Sequence, residues 1–202
     1  LDAVVPGFTT GWLREGRSEL PGDQLIGARR YRIYGNYVRS EDDETTVRLA
    51  TIFFVDMTEM FNVRDEFLRT RPITAVILID NYDELMSNLP DSTISKLDAQ
   101  INEAVSGWVT GLHALCRKME RNRYLLLFES KDLSRLQEGK FSILDAIRAV
   151  VNPAGVNATI SLGIGKDGSS FEENYSFANL SIEMALSRGG DQAVIKDRFN
   201  FA

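Results

Sequence analysis

ITAVILIDNYDEL, residues 73–85, decides how the rest of the chain is read. From Ala75 to Ile79 no polar residue interrupts the apolar run, so the strand it forms must be covered on both faces. Such a strand lies inside a sheet with helices packed against it, and Asp80 then stands where the chain leaves the core. The downstream sequence supplies the helices. In DSTISKLDAQINEAVSGWVTGLHALCRKM (91–119), Ile94, Leu97, Ile101, Val105, Trp108, Leu112, Leu115 and Met119 recur at steps of three and four, which predicts one long amphipathic helix. Asp91 or Ser92 is placed to cap it, and an extra hairpin strand near 113–120 is the alternative for its last part. RYLLLFES (123–130) reads as a strand and FSILDAIRAVV (141–151) as a helix closed by Asn152-Pro153. NATISLGIG (157–165) reads as a strand, FANLSIEMALSR (177–188) as a helix and QAVIK (192–196) as a short last strand. The sum is an α/β (α+β) sheet domain of about 130 residues, an ordinary domain size.

Upstream the pattern changes. RRYRIYGNYV (29–38) and TTVRLATIFFVD (45–56) are rich in aromatic and β-branched residues, as strands are, with SEDDE (40–44) as a solvated tip between them. Tyr31, Ile33, Gly35 and Tyr37 share one face, and Val47, Leu49, Thr51, Phe53 and Val55 share one face of the partner strand. The aromatics Tyr31, Tyr37, Phe53 and Phe54 are expected as plain core rather than the lining of a ligand cavity. MTEMFNVRDEFLRT (57–70) reads as a helix with Thr58 as N-cap, ended before Pro72. Its Met60, Val63 and Phe67 fall on one side, suited to packing on its own sheet or against a second chain.

Composition narrows the function. Of 202 residues, 44% are hydrophobic and 26% charged, which is ordinary for a globular protein. The net charge of −6 argues against a nucleic-acid-binding surface. A single cysteine, Cys116, cannot form an internal disulfide, and a single histidine, His113, excludes a multi-histidine metal site and reads as a residue of the long helix. The N-terminal stretch has no signal-peptide pattern, and the aliphatic run at 75–79 is far short of the ~20 residues of a membrane span. The absence of an initiator methionine suggests a piece of a longer chain.

Taken in order, TAVILIDNYDEL, the long helix, ERNRYLLLFE, ATISLGIG and ANLSIEMALSRGGDQAV make the chain similar to a degenerate GGDEF domain. It resembles in particular that of the GdpP (YybT) family of membrane-bound cyclic-di-AMP phosphodiesterases, where a PAS domain precedes and a DHH–DHHA1 phosphodiesterase follows. FFVDMTE (53–59) is similar to the exit of a PAS domain into its output helix. The implied division is residues 1–57 as the C-terminal part of a PAS domain, 58–71 as a linker helix, and 72–202 as the degenerate GGDEF domain. The signature of this fold belongs on the hairpin tip after the long helix, here Glu120 to Tyr124. Gly189-Gly190-Asp191 in SRGGDQAVIKD (187–197) is therefore read as a helix stop leading into an edge strand, not as the signature.

The resemblance also implies what chemistry survives. The first metal-binding aspartate of the family matches Asp80, while the next acid of its D-x-D pattern falls on Tyr82. The signature glycines fall on Glu120 and Arg121, and the signature acids on Asn122 and Arg123. The phosphate-contacting lysine and arginine fall on Ser187 and Asp191, and the inhibitory R-x-x-D positions on Gly111 and Ala114. A guanidinium at 123 is hostile to paired cations, so synthesis of cyclic-di-GMP is not expected. Magnesium needs only one or two protein carboxylates when phosphates complete its shell. Slow ATP hydrolysis through one ion at Asp80, with Asn122 and Arg123 beside the nucleotide, is the implied remnant. The alternative is that Asp80 only caps the turn after its strand, with Asp83. The expected partners are ATP and a second copy of the chain, with no membrane contact by this region itself. Its place would be the cytoplasmic side of a membrane-anchored parent. Haem is a ligand of an intact PAS domain and is not expected here, and manganese belongs to the DHH module beyond this sequence. The alternative to a nucleotide-binding regulator is a dimerisation and signal-transmission scaffold.

Overall fold

The computed structural model describes residues 8–39 and 48–202, which divide into two compact units, Leu1–Phe67 and Leu68–Ala202. In the first unit, α1 (Gly11–Arg14), β1 (Gln24–Ile26), β2 (Arg29–Arg39) and β3 (Arg48–Asp56) build a three-stranded antiparallel sheet in the order β1-β2-β3. Ile33 pairs with Phe54 and Gly35 with Ile52, so the alternation read along β2 holds for Tyr31, Ile33 and Gly35. Ile33 is buried with Trp12 and Leu13 of α1. Gly35 makes that packing fit, since a Cβ there would lie 2.9 Å from the Trp12 ring and 3.1 Å from the Thr51 carbonyl oxygen. The aromatics do not form one core. Tyr31 and Phe54 meet edge to face at 6.3 Å, whereas Phe53 is 54% exposed on the opposite face. The expected tip at 40–44 and Val47 lie outside the described residues, as do the side chains of Tyr37 and Leu49.

Next comes α2 (Thr58–Thr70). Thr58 is its first residue rather than its cap: the Thr58 amide donates to Asp56 Oδ1 at 3.0 Å, and the Thr58 hydroxyl accepts from the Arg30 amide. Phe61 is buried beneath the Arg30 guanidinium, while Met60, Val63 and Phe67 are exposed.

The second unit is a five-stranded sheet in the order β5-β6-β4-β7-β8, with β4 (Pro72–Ile79) at its centre as its apolar run requires. β5 (Leu115–Glu120), β6 (Arg123–Glu129) and β7 (Ile160–Gly165) pair antiparallel, and β8 (Ala193–Lys196) joins β7 in parallel at the edge. On one face, Ile77 and Ile79 pack with α4 (Asp91–Thr110), α5 (Ser130–Glu138) and α6 (Ile143–Arg148), while α3 (Tyr82–Met86) closes the end with Leu85. On the other face, Val76 packs with Ala178 and Ile182 of α7 (Phe171–Ser187).

Three expectations are corrected. The long helix stops at Thr110, and Leu115–Glu120 is an edge strand, which is the alternative read for 113–120. Gly111 breaks the helix, and the apolar spacing that runs on through Leu115 and Met119 is the alternation of a strand whose Leu115 pairs with Leu127. His113 accordingly lies between α4 and β5, with Nδ1 3.9 Å from Asp132 Oδ2. Neither Asp91 nor Ser92 caps α4 through its side chain; Pro90 precedes it, and the Pro90 carbonyl accepts from Thr93 and Ile94. α7 begins at Phe171 rather than Phe177, capped by the Ser170 hydroxyl accepting from the Glu173 amide at 3.1 Å.

Candidate functional site

Asp80 follows the last residue of β4, and its position is fixed from both sides. The Asp80 amide donates to the Thr159 carbonyl, and the Asn81 side chain donates to the Asn157 carbonyl while accepting from the Thr159 amide. The strand thus cannot slide, and the carboxylate leaves it on the α7 side. The Asp191 amide donates to Asp80 Oδ2 at 2.8 Å, whereas Asp80 Oδ1 is buried and completes no hydrogen bond. Burial pushes the Asp80 carboxyl above the ordinary carboxylate range. The Asp191 amide and Ser161 pull it back down, and the charge on Asp191 pushes it up again. Asp80 therefore does not cap its own turn with Asp83; its partner lies 111 residues on.

The stretch Gly189-Gly190-Asp191 does stop α7, as read, with the Gly190 amide donating to the Ala185 carbonyl and φ of +103° and +75° at the two glycines. It also does something sequence reasoning missed, since it lays its aspartate against Asp80. Arg148 holds that aspartate in turn, Nε donating to Asp191 Oδ2 at 2.7 Å and Nη2 to its carbonyl at 3.3 Å.

The hairpin tip falls where expected, between β5 and β6. Asn122 gives its carbonyl to the Ile79 amide, which ties the tip to the end of β4. Arg123 pairs with Leu78 in register and sends Nη2 to Asn179 Oδ1 of α7 at 3.2 Å, leaving Nε buried without a partner. The cation at 123 thus occupies the face on which Asp80 emerges. Ser187 bonds its own helix through the Met184 carbonyl.

Beside the tip, a cleft of about 700 Å³ opens between α3, α4 and β5, lined by Tyr82, Asp91, Ile94, Asp98, Lys118 and Arg121. That volume falls within the ~300–1,000 Å³ of ordinary small-molecule sites. Its wall is a closed polar network. Lys118 donates to Asp98 Oδ1 at 2.5 Å, Asn102 donates to Asp98 Oδ2 at 3.1 Å, and the Tyr124 hydroxyl donates to Asn102 Oδ1 at 2.5 Å. Burial first, then the Asp98 charge, raises the Tyr124 phenol well above its usual range, so it stays protonated as the donor. Sequence reasoning missed this cleft because its residues read as two separate elements and a helix end.

Among the described residues no group of three or more histidine, cysteine, aspartate or glutamate side chains could hold a metal ion. Two paired cations do not fit these residues, whereas the unpartnered oxygen of Asp80 fits a single one. No helix among the described residues is long and apolar enough to cross a membrane.

Comparison with known proteins agrees with this geometry. The chain has the fold of the GGEEF domain of a diguanylate cyclase from Vibrio cholerae, with a TM-score of 0.55 at 12% identity over 66% of this chain and 88% of that one. It likewise has the fold of the GGDEF domain of FimX from Pseudomonas aeruginosa, with a TM-score of 0.53 at 17% identity over 68% of this chain and 91% of that one. In sequence it is 32% identical over 145 residues to the cyclic-di-AMP phosphodiesterase GdpP of Bacillus subtilis (strain 168), covering 72% of this chain and 22% of that protein. It is 31% identical to the cyclic-di-AMP phosphodiesterase PdeA of Listeria monocytogenes serotype 1/2a (strain 10403S), with the same coverage. The chain thus spans about a fifth of the length of the curated relatives it matches. The family model described as "Cyclic-di-AMP phosphodiesterase GdpP-like, GGDEF domain" matches residues 77–201, the stretch that holds Asp80, the hairpin tip and the α7–β8 turn. The sheet, the strand-end aspartate and the hairpin after the long helix therefore have one common explanation: this chain belongs to the GdpP-like GGDEF family.

Proposed function

We propose that this chain is a regulatory region of a membrane-anchored cyclic-di-AMP phosphodiesterase, whose degenerate GGDEF domain binds ATP and hydrolyses it slowly without making cyclic-di-GMP. The observation that carries this reading is the hairpin tip. A cation held by Asn179 stands at position 123 where an acid would grip a metal, yet a nucleotide-sized cleft persists beside it. In this reading the phosphates lie at the hairpin tip by Asn122 and Arg123, on the face where Asp80 emerges, and the base reaches past Arg121 towards Tyr82 and Ile94 in the cleft on the α4 side. Asp80 would hold one magnesium ion, which supplies charge neutralisation at the phosphates. The first unit would be the end of a PAS domain and α2 its output helix, with the phosphodiesterase chemistry and its manganese in a further module.

The test is phosphate release from ATP with magnesium by the chain and by Asp80→Ala. A loss of about tenfold or more is expected for a group acting on the reacting phosphate, and equal rates would remove the claim. A second reading, a dimerisation scaffold, is favoured by one observation, the exposed stripe Met60, Val63 and Phe67 on α2. A dimer by light scattering, with no ATP uptake in calorimetry, would favour it.

A further inference from the structure

The Gly-Gly-Asp stretch after α7 has a second task besides stopping the helix. Gly190 lies so close to Asp80 that a Cβ there would stand 2.8 Å from its Oδ2. Asp191 follows with φ of +55°, a left-handed conformation uncommon for a residue with a side chain, and Arg148 clamps both its carboxylate and its carbonyl. The result is two carboxylates side by side, each with one oxygen engaged: Asp80 Oδ2 by the Asp191 amide and Asp191 Oδ2 by Arg148. The remaining oxygens, Asp80 Oδ1 and Asp191 Oδ1, are both buried and complete no hydrogen bond. Next to them on β7 stands Ser161, 0% exposed, whose hydroxyl and amide lie close enough to the Asp80 carboxylate to stabilise its charge, although the hydroxyl closes no hydrogen bond.

Carboxylate oxygens taken out of water without a donor are costly, and two neighbouring ones more so. Arg148 answers only one of the four oxygens. A hard divalent cation accepts oxygen ligands of this kind, and two carboxylates with a hydroxyl are enough when water or phosphate fills the rest of its shell. We propose that Asp191 is the second carboxylate of a single divalent-cation site with Asp80 and Ser161, replacing the acid that position 123 no longer supplies. This deepens the reading of Asp80 given above and rests on it. It makes the site one-ion, built from the end of β4 and the α7–β8 turn rather than from the hairpin.

The test uses the 202-residue chain and Mn²⁺ alone, followed by electron paramagnetic resonance, with binding of a fluorescent ATP analogue in EDTA measured separately. The chain is expected to bind one Mn²⁺, and Asp191→Asn and Asp80→Asn are each expected to weaken it about tenfold or more, as lost or mis-set metal ligands do. Both amides keep the shape of the acid, and far-UV circular dichroism verifies the fold. Asp145→Asn, which alters only the exposed partner of Arg148, is expected to leave Mn²⁺ binding unchanged. Undiminished binding in Asp191→Asn overturns the proposal, as does a chain that takes up no Mn²⁺ at millimolar concentration because a proton on Asp80 answers the deficit instead. If Mn²⁺ binding depends on Asp191 while the ATP analogue does not bind, the cation site stands and only the nucleotide reading falls.

Discussion

At position 80 an acid sits half-buried with one oxygen bonded to the Asp191 amide and the other completing no hydrogen bond. Its carboxyl is raised, by burial first, so the folded chain holds that proton more tightly than the unfolded one does. Stability from this group is therefore present below the unfolded carboxylate pKa and is lost as pH rises through the folded value. Without added divalent ions, Asp80→Asn is expected to raise the thermal midpoint at pH 7. The gain should shrink towards zero as pH falls below the ordinary carboxylate range. Scanning calorimetry across pH checks this, and equal midpoints at pH 7 would show that residue 80 carries no such penalty. Asp80 could be picked out in the sequence because an acid directly after an apolar strand stands out. Asp191 could not, since a Gly-Gly pair after an amphipathic run explains itself as a helix stop.

Between elements, the closest packing is that of α7 on β7. A Cβ at Gly163 would come 2.2 Å from the Ala178 carbonyl oxygen, and one at Gly165 1.9 Å from that of Asn174. Helix backbone lies directly on strand backbone, with no side chain between. Gly163→Ala should force α7 off the sheet and cost at least ~3 kcal/mol, at the upper end for overpacked cores. Urea denaturation would register this as a lower midpoint, and a change under ~1 kcal/mol would mean that the helix yields easily. The elements were unevenly legible. β4, β7 and the body of α7 declared themselves because their apolar residues have only one use. The α4–β5 boundary did not, since Leu115 and Met119, four apart, satisfy a helical period and a strand alternation at once. α5 was missed because SKDLSRLQE offers only Leu133 and Leu136 to the core, too few for a periodic signal.

Across the whole molecule, among the described residues, the core of the second unit draws on residues between Ile73 and Ile195. Residues 68–202 expressed alone should therefore unfold in one cooperative step, with a midpoint within a few degrees of the main transition of the full chain. A molten, non-cooperative product would show that the first unit is needed. The two borders of its sheet are treated differently. Beyond β8 the chain turns at Asp197 and comes back, Ile195 and Ala202 exchanging both amide bonds at 2.8 Å. The Lys196 ammonium lies between the rings of Phe177 and Phe201, at 4.9 and 4.5 Å from their centres. At the other border β5 carries Arg117 and Lys118 at its middle. One margin is thus hemmed by residues 199–202 and the other carries the exposed charge of Arg117, which discourages edge-to-edge pairing of strands between neighbouring molecules. Crowded solutions of this domain should stay clear where a bare-edged sheet would seed fibrils.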